Sequence, residues 1–309
     1  MIFGTGLIPE PYSKSNYRIE HLAAALWKPF DWSKGYDVEK ELKLLLPVKD
    51  QGPNLSCVGQ SSATYAYVQN AFELKSIYGD KLLEALQELS AKSIYSQIAL
   101  SSGGAFMGDA LRLIKSFGIT PEVLVPSYEW FQGDRIPLSE DKMKEKYWIN
   151  QYTSNRSSNY KSKEYRFIYD TQSIDTIAQT IQECGGCLLG LFLDDSDSWI
   201  TEFPQVPKLR MYSHLLYAGK ACIINGKKYI GVLNSWGTDI GNKGWQWISE
   251  DYFLSGMVYI GGAMVDETNS VWVKFIDNKG QARSFPTYFV KSIKYMLDRG
   301  SKLLPKYDE

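Results

Sequence analysis

The sequence is poor in cysteine and histidine and carries almost no net charge. Four cysteines and two histidines occur among its 309 residues. That is too few cysteines for the disulfide framework that holds small secreted domains together. The formal net charge of −1 gives no reason to expect nucleic acid or an anionic membrane as a partner. Charge alone therefore indicates no particular partner.

Long apolar runs are also absent. None approaches the ~20 residues that a membrane-spanning helix needs. The N-terminal segment has no basic stretch before its apolar part, which makes it a poor secretory signal. Apolar residues make up 44% and charged residues 22% of the chain, as in ordinary globular proteins. We therefore expect a soluble protein without membrane contact, in the cytoplasm or on a particle, with one large or two small domains.

One stretch, Leu46 to Ala63, combines a loop with a helix that begins at a cysteine. Gly52-Pro53 interrupts regular structure, and Ser56 is a favourable N-cap residue. Cys57 then lies in the first helical turn, where unpaired N–H groups and the helix dipole favour a thiolate. Gln51 lies six residues earlier and can direct its side-chain NH2 to the same place, as an oxyanion donor in acyl transfer requires.

A nucleophilic thiol needs a base, and the choice is between His21 and His214. His21 lies in a short N-terminal segment. His214 precedes two apolar strands joined by Asn225-Gly226, a strong hairpin signal, and Asn234 and Trp236 follow the second strand. A lone buried cysteine more often fills a core, and a lone histidine is more often a packing or surface residue. The joint occurrence of several motif elements favours catalysis here.

The order Gln-x5-Cys, a distant histidine and then NSWGTDIGNKGWQWI resembles the papain family of cysteine peptidases. The resemblance covers Asp31 to Val265, and two weaker matches support it, LSAKSIYSQ and GGAFMGDALRLIKSFGITPE. Three departures are visible. Leu55-Ser56 and Val58 replace the usual neighbours of the nucleophile, and Asn54 stands where the family usually has a cysteine, so the disulfide common at that place is absent.

The resemblance implies a role for each matching residue. Cys57 would be the nucleophile, His214 its proton partner, Asn234 the residue that orients the imidazole, and Gln51 the oxyanion donor. Three further residues would contact substrate or shield the site. These are Gly103 and Gly104, the second pairing its backbone with an extended peptide, and Trp236, covering the His–Asn hydrogen bond.

The predicted architecture is α+β, a papain-like two-domain fold with a helical domain, a β-barrel-like domain and the active-site cleft between them. Residues 31–265 would form the catalytic part, with helices in about 45–130, a connecting insertion or long surface loop at about 131–165, and strands in about 166–265. Residues 1–30 would be a leader: a short cap over the cleft, a docking arm or a plain N-terminal arm. Within these limits we expect helices at 62–76, 81–100, 107–118 and 174–184 and a buried strand at 187–193.

The predicted function is hydrolysis of peptide bonds through an acyl-enzyme thioester, with a peptide or protein as substrate. No cofactor or metal is expected, because the C-x-x-C at Cys184 and Cys187 has no second pair and the acidic turn at 194–197 supplies too few ligands. Two alternatives stay open. One is a structural or binding component of a larger assembly with vestigial or single-use activity, and the other is an acyl transferase or deamidase with the same triad. The missing disulfide and long propeptide indicate a microbial or viral type.

The hairpin poses a question of register. Opposed side chains share a face, and faces alternate along a strand. With a two-residue loop, Asn234 would oppose Tyr217 and lie on the opposite face from His214. One extra residue is therefore needed. Three places offer it: a three-residue loop, Ile224–Gly226, which we expect, or a bulge at Gly219 or at Gly231.

Residues 266–309 lie beyond the family resemblance. A strand at 271–276 and a helix at 287–297 are expected, with apolar residues spaced close to one helical face. No chemistry maps onto this segment. We therefore predict a docking element for a partner chain or a second copy, the alternative being a strand and helix packed on the β-rich domain.

Overall fold

The fold combines a helical layer with one large antiparallel sheet. In the sheet, seven strands pair, and the longest of them, β6 (Tyr212–Ile224), lies between β5 (Cys187–Leu193) and β7 (Lys227–Leu233). The computed structural model describes residues 4–13, 16–20, 27–79, 86–147, 151–265, 272–276, 282–286 and 302–303.

The central helix α2, Cys57–Tyr78, carries the predicted nucleophile at its first position. Its side chains are buried on all faces near the N-terminus, and Tyr65 and Val68 are fully inaccessible. Ser56 occupies the N-cap position but makes no capping hydrogen bond. Its hydroxyl instead donates to the Asn54 side chain. The predicted N-cap position is therefore confirmed, but the side chain does not cap the helix. Surrounding protein rather than a side-chain cap fixes the start of this helix.

The β6–β7 hairpin settles the register. Asn225 and Gly226 form a two-residue turn with φ of 50° and 78°, as a type I′ turn requires. The pairing then shifts at Gly219, between Ala218 and Lys220. The three-residue loop is therefore wrong, and the alternative bulge at Gly219 is confirmed. It brings His214 and Asn234 to one face of the sheet.

Two other segments differ from expectation. Of the helix expected at 81–100, residues 81–85 lie outside the described residues, and 91–98 are helical as Ala91–Ile98. Residues 86–90 are not helical, because the Ser90 hydroxyl accepts from the Ser93 N–H and Leu89 pairs with Pro121 as an isolated bridge. The connecting segment is more structured than a surface loop. A hairpin whose turn is Gln132-Gly133, three short helices and a strand occupy it.

Two apolar cores lie on opposite faces of the sheet. One joins α2 and its neighbouring helices to the sheet through residues such as Tyr65 and Tyr217. The other lies under the helix at Ile174–Cys184, which matches its predicted bounds. The site described below is built where the first core meets β6.

Beyond Val265 the structure describes three short strands. They pair with one another in an antiparallel sheet of their own. The predicted strand at 271–276 appears at Trp272–Ile276, and the helix predicted at 287–297 lies outside the described residues. Among the helices that the structure describes, none has the length and hydropathy to cross a membrane.

The remaining elements complete the chain order. The helices are α1 Val38–Leu42, α3 Ala91–Ile98, α4 Met107–Ser116, α5 Glu140–Lys144, α6 Gln151–Ser157, α7 Ile174–Cys184 and α8 Glu250–Leu254, with 3-10 turns at Ser158–Tyr160 and Asp197–Ile200. The strands are β1 Tyr36–Asp37, β2 Tyr128–Phe131, β3 Asp134–Pro137, β4 Glu164–Ile168, β8 Trp245–Ser249, β9 Val258–Val265, β10 Trp272–Ile276, β11 Ala282–Pro286 and β12 Lys302–Leu303.

Candidate active site

Cys57 lies where the start of α2 packs along β6, the strand that carries His214. The Ser61 hydroxyl on α2 donates to the Leu215 carbonyl at 2.7 Å, and the Leu215 N–H lies close to the Cys57 sulfur. Because Leu215 follows His214 directly, this packing places Cys57 next to the part of β6 that carries the histidine. Both side chains are fully buried.

A chain of hydrogen bonds orients His214. Its Nε2 lies 3.0 Å from Asn234 Oδ1, and the Asn234 Nδ2 donates to Gln246 Oε1 at 2.8 Å. The Gln246 amide in turn donates to the Trp199 and Thr201 carbonyls. Since the amide oxygen of Asn234 can only accept, Nε2 carries the proton of the neutral imidazole. The other nitrogen, Nδ1, is therefore an acceptor, and it has no hydrogen-bond partner in the part of the chain that the structure describes.

Trp236 covers this pair. Its ring stacks on His214 with centroids 4.6 Å apart and planes at 25°. The indole also donates its N–H to the Gly4 carbonyl at 2.8 Å. The ring therefore lies where the family resemblance predicts an indole that shields the His–Asn hydrogen bond, and its N–H also holds the N-terminal segment.

Gln51, in the loop before Cys57, is fully buried. Its Oε1 accepts from the Ser235 hydroxyl at 2.6 Å, and its Nε2 donates to the Asn54 carbonyl at 2.8 Å. One of the two N–H bonds of Nε2 is used in this way, which leaves the second for an oxyanion. Ser235 therefore links the donor loop to the strand end that carries Asn234.

The N-terminal segment, residues 4–10, runs through the cleft beside Cys57. We call it the leader strap. Gly6 and Leu7 donate to the Ser213 carbonyl at 3.3 and 3.2 Å, and Leu7 pairs with Ala105 as a parallel bridge. The Leu7 N–H also lies close to the Cys57 sulfur. The strap thus occupies the space in front of the thiol.

The strap is held by a side chain at its centre and a carboxylate at its end. Leu7 is 3% exposed and packs against Gly190 and Ile260. The packing is tight, because a Cβ added at Gly190 would lie 2.7 Å from both Leu7 Cδ2 and Ile260 Cγ2. Glu10 accepts from the Gly108 N–H at 2.9 Å, in the first turn of α4. Of the sequence readings of the leader, the short cap over the cleft is the one that this geometry supports.

Burial sets the protonation of the covered pair. It raises the pKa of Cys57 to about 12, although the Leu215, Val58 and Leu7 N–H groups partly offset it. Burial also lowers the pKa of His214 to about 4, against the hydrogen bond to Asn234. Cys57 is therefore not the expected thiolate while the strap covers the site. Desolvation outweighs the helix dipole, and the covered pair is a neutral thiol and a neutral imidazole.

The strap pairs one residue beyond the place predicted for substrate pairing. The Gly104 N–H donates to the Tyr95 hydroxyl, and its carbonyl accepts from the Leu100 N–H. Ala105 instead presents both backbone groups to the strap, donating to the Gly6 carbonyl and accepting from the Ile8 N–H at 2.9 Å each. Gly103 contacts Leu55 and Glu140 rather than the strap. The strap therefore pairs with Ala105 and not with Gly104, and the pairing of Gly104 with a substrate stays a prediction.

Sequence reasoning missed Ala105, Ser235 and Gln246. Gln246 lies in the WQWI strand of the quoted motif, where alternation places it inward among apolar residues. A polar residue at such a position needs a buried partner, which was the available signal. Ser235 and Ala105 had no such signal, because their roles depend on loop geometry.

Other clusters carry no metal site. Within the described residues, no group of three or more histidine, cysteine or acidic side chains is placed to hold an ion. Cys184 and Cys187 are buried, at the end of α7 and the start of β5.

No protein-family model matches the sequence, and no curated protein matches it. Solved structures do. Xylellain, a cysteine protease from Xylella fastidiosa, aligns with a TM-score of 0.62 at 17% identity, over 86% of this chain and 97% of that chain. Procathepsin L2 from the larval midgut of Tenebrio molitor gives 0.63 at 20% identity, over 85% and 78%. ProCathepsin B S9 from Trypanosoma congolense gives 0.61 at 16%, over 85% and 86%.

These structures are papain-like cysteine proteases. The chain therefore has the papain-like α+β fold, and the predicted fold class is confirmed.

Proposed function

We propose that the protein is a cysteine peptidase that hydrolyses peptide bonds through Cys57, His214 and Asn234. The observation that carries the proposal is the state of the imidazole. Its Nε2 is held by Asn234 while its Nδ1 is buried without a partner in the described part of the chain. A buried acceptor left unpaired is costly. Cys57, whose sulfur lies close to the N–H of Leu215, the residue after His214, is the thiol that would give it a proton when the site opens.

The chemistry follows in two halves. His214 Nδ1 takes the Cys57 proton, and the thiolate adds to the peptide carbonyl carbon. The second N–H of Gln51 and the Cys57 backbone N–H would stabilise the resulting oxyanion. When the C–N bond breaks, His214 gives its proton to the leaving amine and a thioester remains. A water molecule, deprotonated by His214, then attacks the thioester and releases a carboxylic acid and the thiol.

The same proposal gives the strap a role. A peptide substrate needs the Ala105 edge and the space in front of Cys57, and the strap fills both. Substrate and strap therefore exclude each other, and the described state is a closed one. Opening exposes Cys57 and His214 to water, which removes the desolvation that keeps both neutral.

Two glycines allow the test in the full-length chain. A Cβ at Gly4 would overlap the Asn54 carbonyl, and one at Gly6, where φ is +128°, would overlap the Leu55 carbonyl. The double variant Gly4→Ala/Gly6→Ala should expel the strap. Pro9→Ala, at an exposed strap position, is the matched control.

The expected result is a rise of at least tenfold in peptide hydrolysis and in alkylation of Cys57 by iodoacetamide, located by peptide mapping. Pro9→Ala should change neither. Adding Cys57→Ala to the double variant should abolish hydrolysis without unfolding. Hydrolysis that survives Cys57→Ala, or uniform alkylation of all four cysteines, would contradict the catalytic assignment.

A further inference from the structure

One carboxylate connects the nucleophile loop to the substrate edge. Glu140, at the start of α5, accepts from the Leu55 N–H through Oε2 at 2.7 Å and lies 2.7 Å from the Tyr95 hydroxyl through Oε1. Its side chain is 25% exposed. Lys144, one turn further along α5, lies 4.0 Å from Oε1, so a charged carboxylate has a nearby counter-ion.

The proton directions along this chain of groups are fixed by chemistry. The Gly104 N–H can only donate, so the Tyr95 hydroxyl accepts from it, at 2.8 Å. The hydroxyl then has its own proton to give to Glu140. Hydrogen bonds in series polarise one another, and a bond to a carboxylate is stronger than one between neutral groups. We call Glu140 and Tyr95 the clamp.

Each end of the clamp lies next to a part of the site. Leu55 is two residues before Cys57, and Gly104 directly precedes Ala105. The two ends are also in contact, because a Cβ at Gly103 would lie 2.6 Å from Leu55 Cδ1 and 3.0 Å from Glu140 Oε1. Gly103 and Gly104 have φ of 88° and 76°, conformations in which side chains are strained. Two backbone hydrogen bonds close this loop locally, from the Leu100 N–H to the Gly104 carbonyl and from the Gly103 N–H to the Leu100 carbonyl, at 2.9 Å each. The clamp adds the connection that ties the closed loop to the nucleophile loop.

We propose that Glu140 and Tyr95 are positioning residues that set the distance between the Cys57 nucleophile and the Ala105 edge. The inference rests on the proposed function. Neither residue reaches the strap or the thiol. Their effect passes through the Leu55 and Gly104 backbone, and a peptide bond held at Ala105 is presented to Cys57 only when both are fixed.

Substitutions at Tyr95 and at Glu140 should cause different kinetic defects. Tyr95→Phe keeps the ring in its fully buried place and leaves the Leu55–Glu140 hydrogen bond intact. It leaves the Gly104 N–H without an acceptor. KM should rise about fivefold with little change in kcat. In Glu140→Gln, an amide replaces one acceptor by a donor, so either the Leu55 N–H or the Tyr95 hydroxyl loses its partner. KM should rise, and the alkylation rate of Cys57 should fall by about fivefold.

The experiment places each substitution in the full-length Gly4→Ala/Gly6→Ala background. Asp141→Asn is the matched control, because Asp141 is the next residue of α5 and its side chain is 99% exposed. Three readouts are compared: KM and kcat for a peptide substrate, the alkylation rate of Cys57 by iodoacetamide, and protection from alkylation by a synthetic peptide of residues 1–13. Protection reports binding at the Ala105 edge without requiring hydrolysis.

The clamp is supported if Tyr95→Phe weakens protection and raises KM, if Glu140→Gln also slows alkylation, and if Asp141→Asn changes nothing. It is overturned if both clamp variants match Asp141→Asn in all three readouts, or if they lower only the melting temperature. If the background variant hydrolyses no peptide, the proposed function fails, whereas alkylation and protection still decide for or against the clamp.

Discussion

At the scale of single residues, sequence and structure agree best where one side chain has one chemical task. Cys57, His214 and Asn234 are predicted from a motif, and the structure pairs His214 with Asn234 and places Cys57 at the start of α2 beside β6. The pairing of the strap with Ala105 could not be predicted, because backbone groups that any residue carries make it. The charge state also could not be predicted, since it depends on the strap that buries the pair.

The buried histidine makes the covered state sensitive to acid. Burial lowers the pKa of His214 from 6.5 to about 4, so between these values the unfolded chain binds a proton that the covered fold does not. Stability from this group is fully present above about pH 6.5 and is lost as the pH falls towards 4. Burial raises the pKa of Cys57 from 9.0 to about 12, so its contribution is lost as the pH rises above 9. We expect maximal stability of the covered fold between these limits.

The measurement is the melting temperature between pH 7 and pH 5 for the wild type and His214→Asn. The wild type should lose more stability over this range than the variant. Burial raises the pKa of Glu10 on the strap, which acts in the opposite direction, because acid favours its protonated, buried form. Glu10→Gln should therefore steepen the wild-type loss. Equal slopes for the wild type and His214→Asn would contradict the assignment.

At the scale of elements, the bulge at Gly219 shows what local sequence does and does not determine. The Asn225-Gly226 turn was readable as a hairpin signal. The alternation of side chains along the strands then required one extra residue in the hairpin, but it did not indicate the position of that residue. The choice depends on a tertiary contact, since a Cβ at Gly219 would lie 2.7 Å from Tyr217 Cε1 and 2.9 Å from Val38. The bulge occurs where the packed ring allows only glycine.

This contact makes Gly219 a sensitive position for the His–Asn pair. Gly219→Ala should destabilise the fold by about 1–3 kcal/mol through overpacking. It should also lower kcat in the strap-released background, because a shifted bulge moves His214 relative to Asn234. Gly226→Ala is the matched control, as nothing lies within 4 Å of its Cβ and only its φ of +78° is strained. It should cost about 1 kcal/mol and leave kcat unchanged. Urea unfolding and steady-state kinetics measure both, and equal kcat values in the two variants would argue against the register account.

The connecting segment and the third helix were harder to predict for a related reason. Gln132-Gly133 is a hairpin turn between residues whose scattered aromatics show no clear alternation, so their pairing was not visible. The residues before Ala91 have helical composition, but Leu89 is drawn into a bridge with Pro121. In both segments long-range pairing outweighs local preference.

At the scale of the whole molecule, the site depends on two cores meeting at one sheet. Cys57 belongs to the helical side and His214 to a sheet strand, and Ser61 and Ser235 join the two across buried hydrogen bonds. This arrangement explains why a motif spread over 180 residues can identify the fold. Each motif residue lies where the helical layer packs on the sheet, so a substitution there would separate the two layers.

The packing of the helical layer on the sheet does not require the C-terminal extension, residues 266–309. Its described strands, at 272–276, 282–286 and 302–303, pair among themselves and not with the seven-stranded sheet. We therefore predict that deleting residues 266–309 leaves a folded protein whose Cys57 reacts with iodoacetamide at the wild-type rate once the strap is expelled. If the extension is a docking element, the deletion should also reduce the molar mass measured by light scattering from that of an assembly to that of one chain. An insoluble or unfolded product would instead show that the extension stabilises the β-rich part of a single molecule, because its loss would expose apolar surface that the sheet cannot cover alone.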